Sequence, residues 1–237
     1  MEKRKIIIGT YDTALTGFWT LTEWSLSDPE LVESFLDVPG RIDGPLDAST
    51  ALTDGDPRYG QRELIAVFES SEGTRLEREE RIRTMQNWLN GWRLDITLPD
   101  DPTHHIKGRV RVERIYNDMA HASVRVVAMC DPWRYNNTDT VVALQATATP
   151  QTATLVNSGR RAVAPVLTVS GGDVNITFAG VPRALSPRED GSPNVYTDIP
   201  ELYLPPALPD LYPSPRTFPL TYSGEGSILL TYREAVL

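Results

Sequence analysis

The sequence predicts a mainly β protein in two parts, an α+β part over residues 1–136 and an all-β part over 137–237. Three observations predict it. One strong helical pattern, at about 75–90, lies among strand patterns. No helical pattern follows in 137–237, where short strand candidates recur between turn residues. Asn136 to Asp139 separates the two regimes.

Residues 5–9 and 18–26 read as strands, the first continuously apolar through Ile6, Ile7 and Ile8, the second placing Phe18, Trp19 and Trp24 among threonines. Asp28-Pro29 turns the chain, and 31–36 leads without clear period into a long connection. In the strand that follows, Leu64, Ala66 and Phe68 alternate with Glu63, Ile65 and Val67, which predicts cover on both faces. Thr74 and Glu77 then stand in capping-box order. Ile82, Met85, Leu89 and Trp92 recur at helical spacing, an apolar stripe laid on a sheet, and Asn90-Gly91 supplies the stop.

Beyond the helix, Leu94, Ile96 and Leu98 alternate inward. Pro99-Asp100-Asp101-Pro102 reads as a turn, 106–116 as a long strand, Asn117-Asp118 as a hairpin turn and 122–130 as the returning strand, ended by Asp131-Pro132-Trp133. In the second part, strands are expected at 141–148, 152–156, 163–169, 174–178, 195–204, 217–222 and 228–233, with Gly171-Gly172 and Gly224-Glu225-Gly226 as hairpin turns. Ten of the nineteen prolines lie between Pro182 and Pro219, which confines the strand there to an edge or to extended loop.

Composition narrows the function. The net charge is −9, and each half holds more acids than bases, which excludes nucleic-acid binding through a general basic surface. Cys130 is alone, so neither a disulfide framework nor a cysteine zinc cluster is expected. No signal-peptide pattern opens the chain, and no apolar run approaches the ~20 residues that span a bilayer, so no membrane insertion is expected. His104, His105 and His121 fall near predicted turns without a nucleophile elbow, and adjacent histidines on a strand point to opposite faces. Asp54-Gly55-Asp56 lacks the later ligands of a calcium loop. The reading is therefore a protein without catalytic residues, metal or cofactor. Lys107, Arg109 and Arg111 on one strand face, with Arg125 on the next strand, form the only basic concentration. It is either a solvated face paired with acids or an interface with an acidic neighbour.

The long connection 38–60 is too rich in glycine, proline and aspartate for a buried element, yet carries Ile42, Leu46, Leu52 and Tyr59, which a pure linker would lack. An ordered arm docked outside its own core fits both halves of that composition. Its residue order, Val38-Pro39-Gly40-Arg41, Asp43-Gly44, Leu46-Asp47, Tyr59-Gly60 and Arg62-Glu63-Leu64, resembles the signature of the distal tail proteins of long-tailed bacteriophages. Cys130-Asp131-Pro132-Trp133 and the closing run from Leu220 to Glu234 extend the resemblance over nearly the whole chain, with Gln61 standing where asparagine is expected.

The resemblance implies a split-barrel-like N-terminal β domain with one helix and a galectin-like β-sandwich. It implies a homo-hexameric ring at the distal tail tip of the virion, assembled in the host cytoplasm. The ring would join the tail tube protein to a tail-tip hub or tail-associated protein, around a channel that DNA crosses without specific binding. The arm residues Arg41, Ile42, Asp43, Leu46, Leu52 and Tyr59 would then contact the adjacent protomer, in a head-to-tail ring. A competing reading is a carbohydrate-binding module. Residues 137–237 contain neither tryptophan nor histidine, which weighs against it, and leave Tyr196, Tyr203 and Tyr212 as the rings that could stack on a sugar.

Overall fold

Strands dominate the computed structural model, which describes residues 5–13, 17–36, 46–49, 58–178, 180–197, 204 and 217–237. The chain is mainly β, with one helix among the described residues, as the sequence predicts. It divides into two compact units, Met1–Arg134 and Tyr135–Val236.

The first unit contains β1 (Ile7–Ile8), β2 (Tyr11–Asp12), β3 (Thr20–Leu26), β4 (Phe35–Leu36), β5 (Leu46–Asp47), β6 (Arg62–Ser70), α1 (Arg75–Leu89), β7 (Arg93–Leu98), β8 (Asp101–Asn117) and β9 (Ala122–Asn136), whose last residues belong to the second unit. Its main sheet has the order β2-β1-β7-β8-β9-β6-β3. Period two puts Leu64, Ala66 and Phe68 of β6 and Val124, Val126 and Ala128 of β9 on one fully buried face. On the other face of β6, Ile65 and Val67 are half-buried, so its cover is partial.

Helix α1 closes the core from the buried side. Thr74 accepts from the Glu77 N–H at 3.3 Å and donates its own N–H to Glu77 Oε2 at 2.7 Å, a complete capping box. Ile82, Met85 and Leu89 are buried against the sheet, each contributing about 1.5–3 kcal/mol. Trp92 corrects the predicted stripe. Gly91 takes a left-handed φ of 82° and turns the chain, so helical spacing no longer applies and Trp92 is 62 % exposed.

Two strands run further than their turn residues suggest. The turn before β8 occupies only Pro99-Asp100, and β8 begins at Asp101, which places His104 and His105 within a strand. β9 continues through Pro132. Its ladder to β6 stops at Arg62 opposite Cys130, so the missing proline N–H costs no bond on that side. Opposite the core face of β9, a Cβ at Gly108 would lie 2.6 Å from Cys130 Sγ.

Burial, with the Asp131 charge adding, pushes the Cys130 thiol up from 9.0 to about 12. Folding thus favours the neutral thiol. That contribution is full below the unfolded thiol's pKa and is lost as pH rises toward 12. Iodoacetamide at pH 8 is expected to leave folded protein unmodified and to alkylate it fully in urea; comparable rates in the two states would show the thiol to be accessible.

The second unit holds β10 (Thr140–Gln145), β11 (Gln151–Val156), β12 (Val166–Ser170), β13 (Val174–Phe178), β14 (Val181–Leu185), β15 (Asn194–Tyr196), β16 (Thr217–Gly224), β17 (Ser227–Tyr232) and β18 (Ala235–Val236). Two sheets, β10-β17-β12-β15 and β11-β16-β13-β14, enclose one buried cluster that includes Leu155, Leu167, Val169, Ile176, Phe178, Leu220 and Leu230. This is a two-layer sandwich. Strand β14 was not expected from the sequence, and of the expected strand 195–204 the described residues are 195–197 and Leu204, of which Val195 and Tyr196 lie in β15.

Neither glycine-rich turn makes a hairpin. β12 and β13 lie in different sheets, as do β16 and β17, so both turns carry the chain across the sandwich. The two corners touch: a Cβ at Gly172 would meet Glu225 at 3.2 Å, and one at Gly226 would collide with the Gly172 carbonyl. A third crossing, from β10 to β11, joins them, with Ala146 N–H donating to Gly226 O and Gly224 N–H to Thr147 O, both at 2.9 Å. Elsewhere in the unit, fully buried Asn157 donates to Arg161 O and Leu204 O and accepts from the Gly159 N–H.

Candidate functional site

The connection from β3 to β6 starts as a two-stranded ribbon. At its root, Ser27 N–H donates to Glu63 O at 2.9 Å, and the buried Arg62 donates from Nε to Ser27 O at 2.7 Å. Burial first, and then the charge of Arg134, lower the Arg62 pKa from its ordinary value. One step out, Leu31 bridges Tyr59, with Val32 N–H donating to Arg58 O and Gly60 N–H to Glu30 O. Further out β4 pairs β5 antiparallel, Phe35 with Asp47 and Leu36 with Leu46. Ser34 N–H donates to Ser49 Oγ at 2.8 Å, and Ala48 N–H donates back to Ser34 O.

Four apolar side chains of this ribbon reach solvent. Leu31, Val32, Phe35 and Leu36 are 41–56 % exposed. A lone two-stranded ribbon is marginal in water, so four exposed apolar residues on one make it a candidate contact surface. Sequence reading passed them over because adjacent pairs, Leu-Val and Phe-Leu, fit neither period two nor 3.6. They were visible only as apolar residues next to the arm.

Of the arm residues named from the sequence, Arg41, Ile42, Asp43 and Leu52 lie outside the described residues, and Leu46 is placed by its backbone in β5. Tyr59 is half-buried. Its ring meets Trp133 of the same chain edge-on, centroids 5.6 Å apart, so Tyr59 fastens the ribbon's root to β9.

The basic row is largely compensated by acids and a carbonyl. Lys107, Arg109 and Arg111 share the solvent face of β8. Lys107 lies 3.9 Å from Asp95, and Arg109 donates to Gly91 O at 2.6 Å. Glu113 bridges Arg111 at 2.6 Å and Arg125 at 2.7 Å. The Arg125 hydrogen bond outweighs desolvation and, with the charge of Arg111, holds the Glu113 carboxyl below its ordinary value. Such exposed pairs contribute little to stability.

One more polar cluster stands out in the first unit. Asp101 accepts from Arg134 Nη1 and Thr103 Oγ1, each at 3.1 Å, and meets His104 Nδ1 at 2.7 Å. Burial alone would raise its pKa, but the bonds from His104, Arg134 and Thr103 prevail and lower it. The crevice beside it has no room for a water, so the cluster acts as a brace between β8 and β9. Among the described residues, no group of three or more His, Cys, Asp or Glu could hold a metal ion, and no helix is long and apolar enough to cross a membrane.

No protein-family model and no curated protein matches the chain. Among solved structures it is similar to the SPP1 Dit (gp 19.1) protein, described as a paradigm of the hub adsorption apparatus in phages that infect Gram-positive bacteria. The TM-score is 0.64 at 15 % identity, over 100 % of both chains. At that identity the likeness is one of fold.

Proposed function

We propose that this chain is a structural protein of a phage tail tip, a distal tail protein that forms a homo-hexameric ring between the tail tube and the tail-tip hub. The observation that carries this reading is the fold likeness to a tail hub protein over the full length of both chains. The exposed apolar ribbon supports it independently, because it supplies the kind of surface that a ring-forming subunit must offer to its neighbour. In this reading the first unit forms the ring and the second unit is a galectin-like sandwich. The role is non-catalytic. Assembly takes place in the host cytoplasm and the finished ring resides in the virion. The chain's net charge of −9 suits a channel that DNA crosses without adhering.

Purified protein at high concentration is expected to give six-fold rings by negative-stain microscopy and a hexamer mass by light scattering, with tube or hub protein added where assembly needs them. Replacing Phe35 and Leu36 with aspartate is expected to leave the unfolding free energy within about 0.5 kcal/mol of wild type, because both side chains are exposed. The same change should abolish the ring. Deleting residues 42–57 should do likewise. A folded double variant that still forms rings would remove the ribbon from the interface.

A further inference from the structure

The outward face of the β10-β17-β12-β15 sheet is chemically unlike the outward face of the first unit. Cross-strand register sets Gln145, Ser227 and Ser170 in one row across three strands. The next row is Ala143, Leu229, Thr168 and Val195. Beyond it lie Val141, Thr231 and Val166. None of these ten positions carries a charge, in a chain whose residues are 23 % charged and which loads the exposed face of β8 with Lys107, Arg109, Arg111 and Glu113. Exposed sheet faces normally carry charge for solubility.

A groove of about 500 Å³ runs over the first row and over Ala143, Leu229 and Thr168 of the second, with Pro193 also lining it. That size is typical of small-molecule sites. Its hydrogen-bonding groups are all neutral. Ser227 Oγ donates to Gln145 Oε1 at 2.7 Å, and Gln145 Nε2 donates to Gly226 O at 3.3 Å, which fixes the amide across the strand pair. Thr168 and Ser170 add hydroxyls, each both donor and acceptor, on a strand about 4.8 Å away. Leu229, 40 % exposed, and Ala143 supply apolar floor beside them. Tyr196 takes no part: its ring packs against the sandwich core and its hydroxyl bonds Ser186 O at 2.8 Å.

We infer that this groove is a binding site for an uncharged saccharide. A sugar ring offers what the face is built to receive: hydroxyls that donate and accept, C–H faces that seat on aliphatic side chains, and no charge to leave unpaired. An ionic ligand would find no counter-charge in the two rows. An extended peptide would find the backbone groups of β17 and β12 already paired on both sides. The site stands apart from ring assembly and is read on the chain alone.

The test is a glycan array with neutral and acidic oligosaccharides, followed by saturation-transfer NMR on the full chain. Neutral glycans are expected to bind saturably and acidic ones not. Gln145→Ala should weaken binding about tenfold, the loss of roughly one hydrogen bond. Thr168→Lys, an outward position, should abolish it with the unfolding midpoint unchanged. Absence of any neutral ligand overturns the inference, as does binding indifferent to both substitutions. If the wild-type chain instead self-associates through this face, and Thr168→Lys disperses it without any glycan effect, a second copy is the occupant and the saccharide site is refuted.

Discussion

Replacing Arg78 with alanine is expected to cost the first unit about 3–5 kcal/mol. Among the described residues Arg78 is the largest fully buried side chain, 1 % exposed. Its guanidinium donates to backbone carbonyls instead of a carboxylate: Nη1 to Gly73 O at 2.6 Å, Nη2 to Asp118 O at 2.9 Å and to Met119 O at 3.0 Å. Nε reaches Asn117 Oδ1 at 3.4 Å. One side chain therefore holds the start of α1 to the tip of the β8–β9 hairpin. Truncation removes the charged donor shared by three carbonyls, and hydrogen bonds to charged groups contribute about 1.5–3 kcal/mol each. Arg78→Met keeps most of the volume and should lose nearly as much, whereas Arg78→Lys, which keeps the charge but lacks the fork, should fall between. Urea unfolding measures the loss, and amide exchange at 117–121 locates it. A methionine variant as stable as wild type would show that packing, not hydrogen bonding, is what Arg78 contributes.

Gly226→Ala is expected to be among the most damaging single methyl additions in the second unit, costing about 3 kcal/mol or more. The new Cβ would collide with the Gly172 carbonyl and lie 2.9 Å from the Ser170 carbonyl, and both are backbone atoms that no rotamer change can move. Gly171→Ala is the internal control. Gly171 has a φ of 79° but open space around it, so it should lose only about 1 kcal/mol. Thermal unfolding of the two variants distinguishes crowding from backbone strain. Equal losses would mean that the corner can shift to admit a side chain.

The sequence made legible those features whose causes are local. Thr74 and Glu77 announce the helix because both halves of the capping box lie within four residues. Alternation locates β6, β7 and the core face of β9 because burial on one side is written at period two. Features decided by distant partners were misread. Gly171-Gly172 and Gly224-Glu225-Gly226 have hairpin composition, and only the pairing of β17 with β10 and β12 reveals them as crossings between sheets. Pro132 looks like a strand end because its sequence does not show that β6 has already stopped pairing. The candidate surfaces divide in the same way. The basic row was readable from strand period, while its compensation by Asp95 and Glu113 was not. The ribbon's exposed Leu31, Val32, Phe35 and Leu36 became visible only when the core was seen to be complete without them.

The tight fit of Gly108 on β8 against β9 has an evolutionary consequence. A methyl at position 108 would press on Cys130 Sγ at 2.6 Å and on Ala128 Cβ at 3.3 Å, so the two strands share a fixed allotment of volume. Growth on one strand is permitted only with shrinkage on the other. Gly108→Ala and Cys130→Ala should each destabilise alone, yet together cost less than their sum. Descendant sequences should therefore exchange residues at these two positions as a pair.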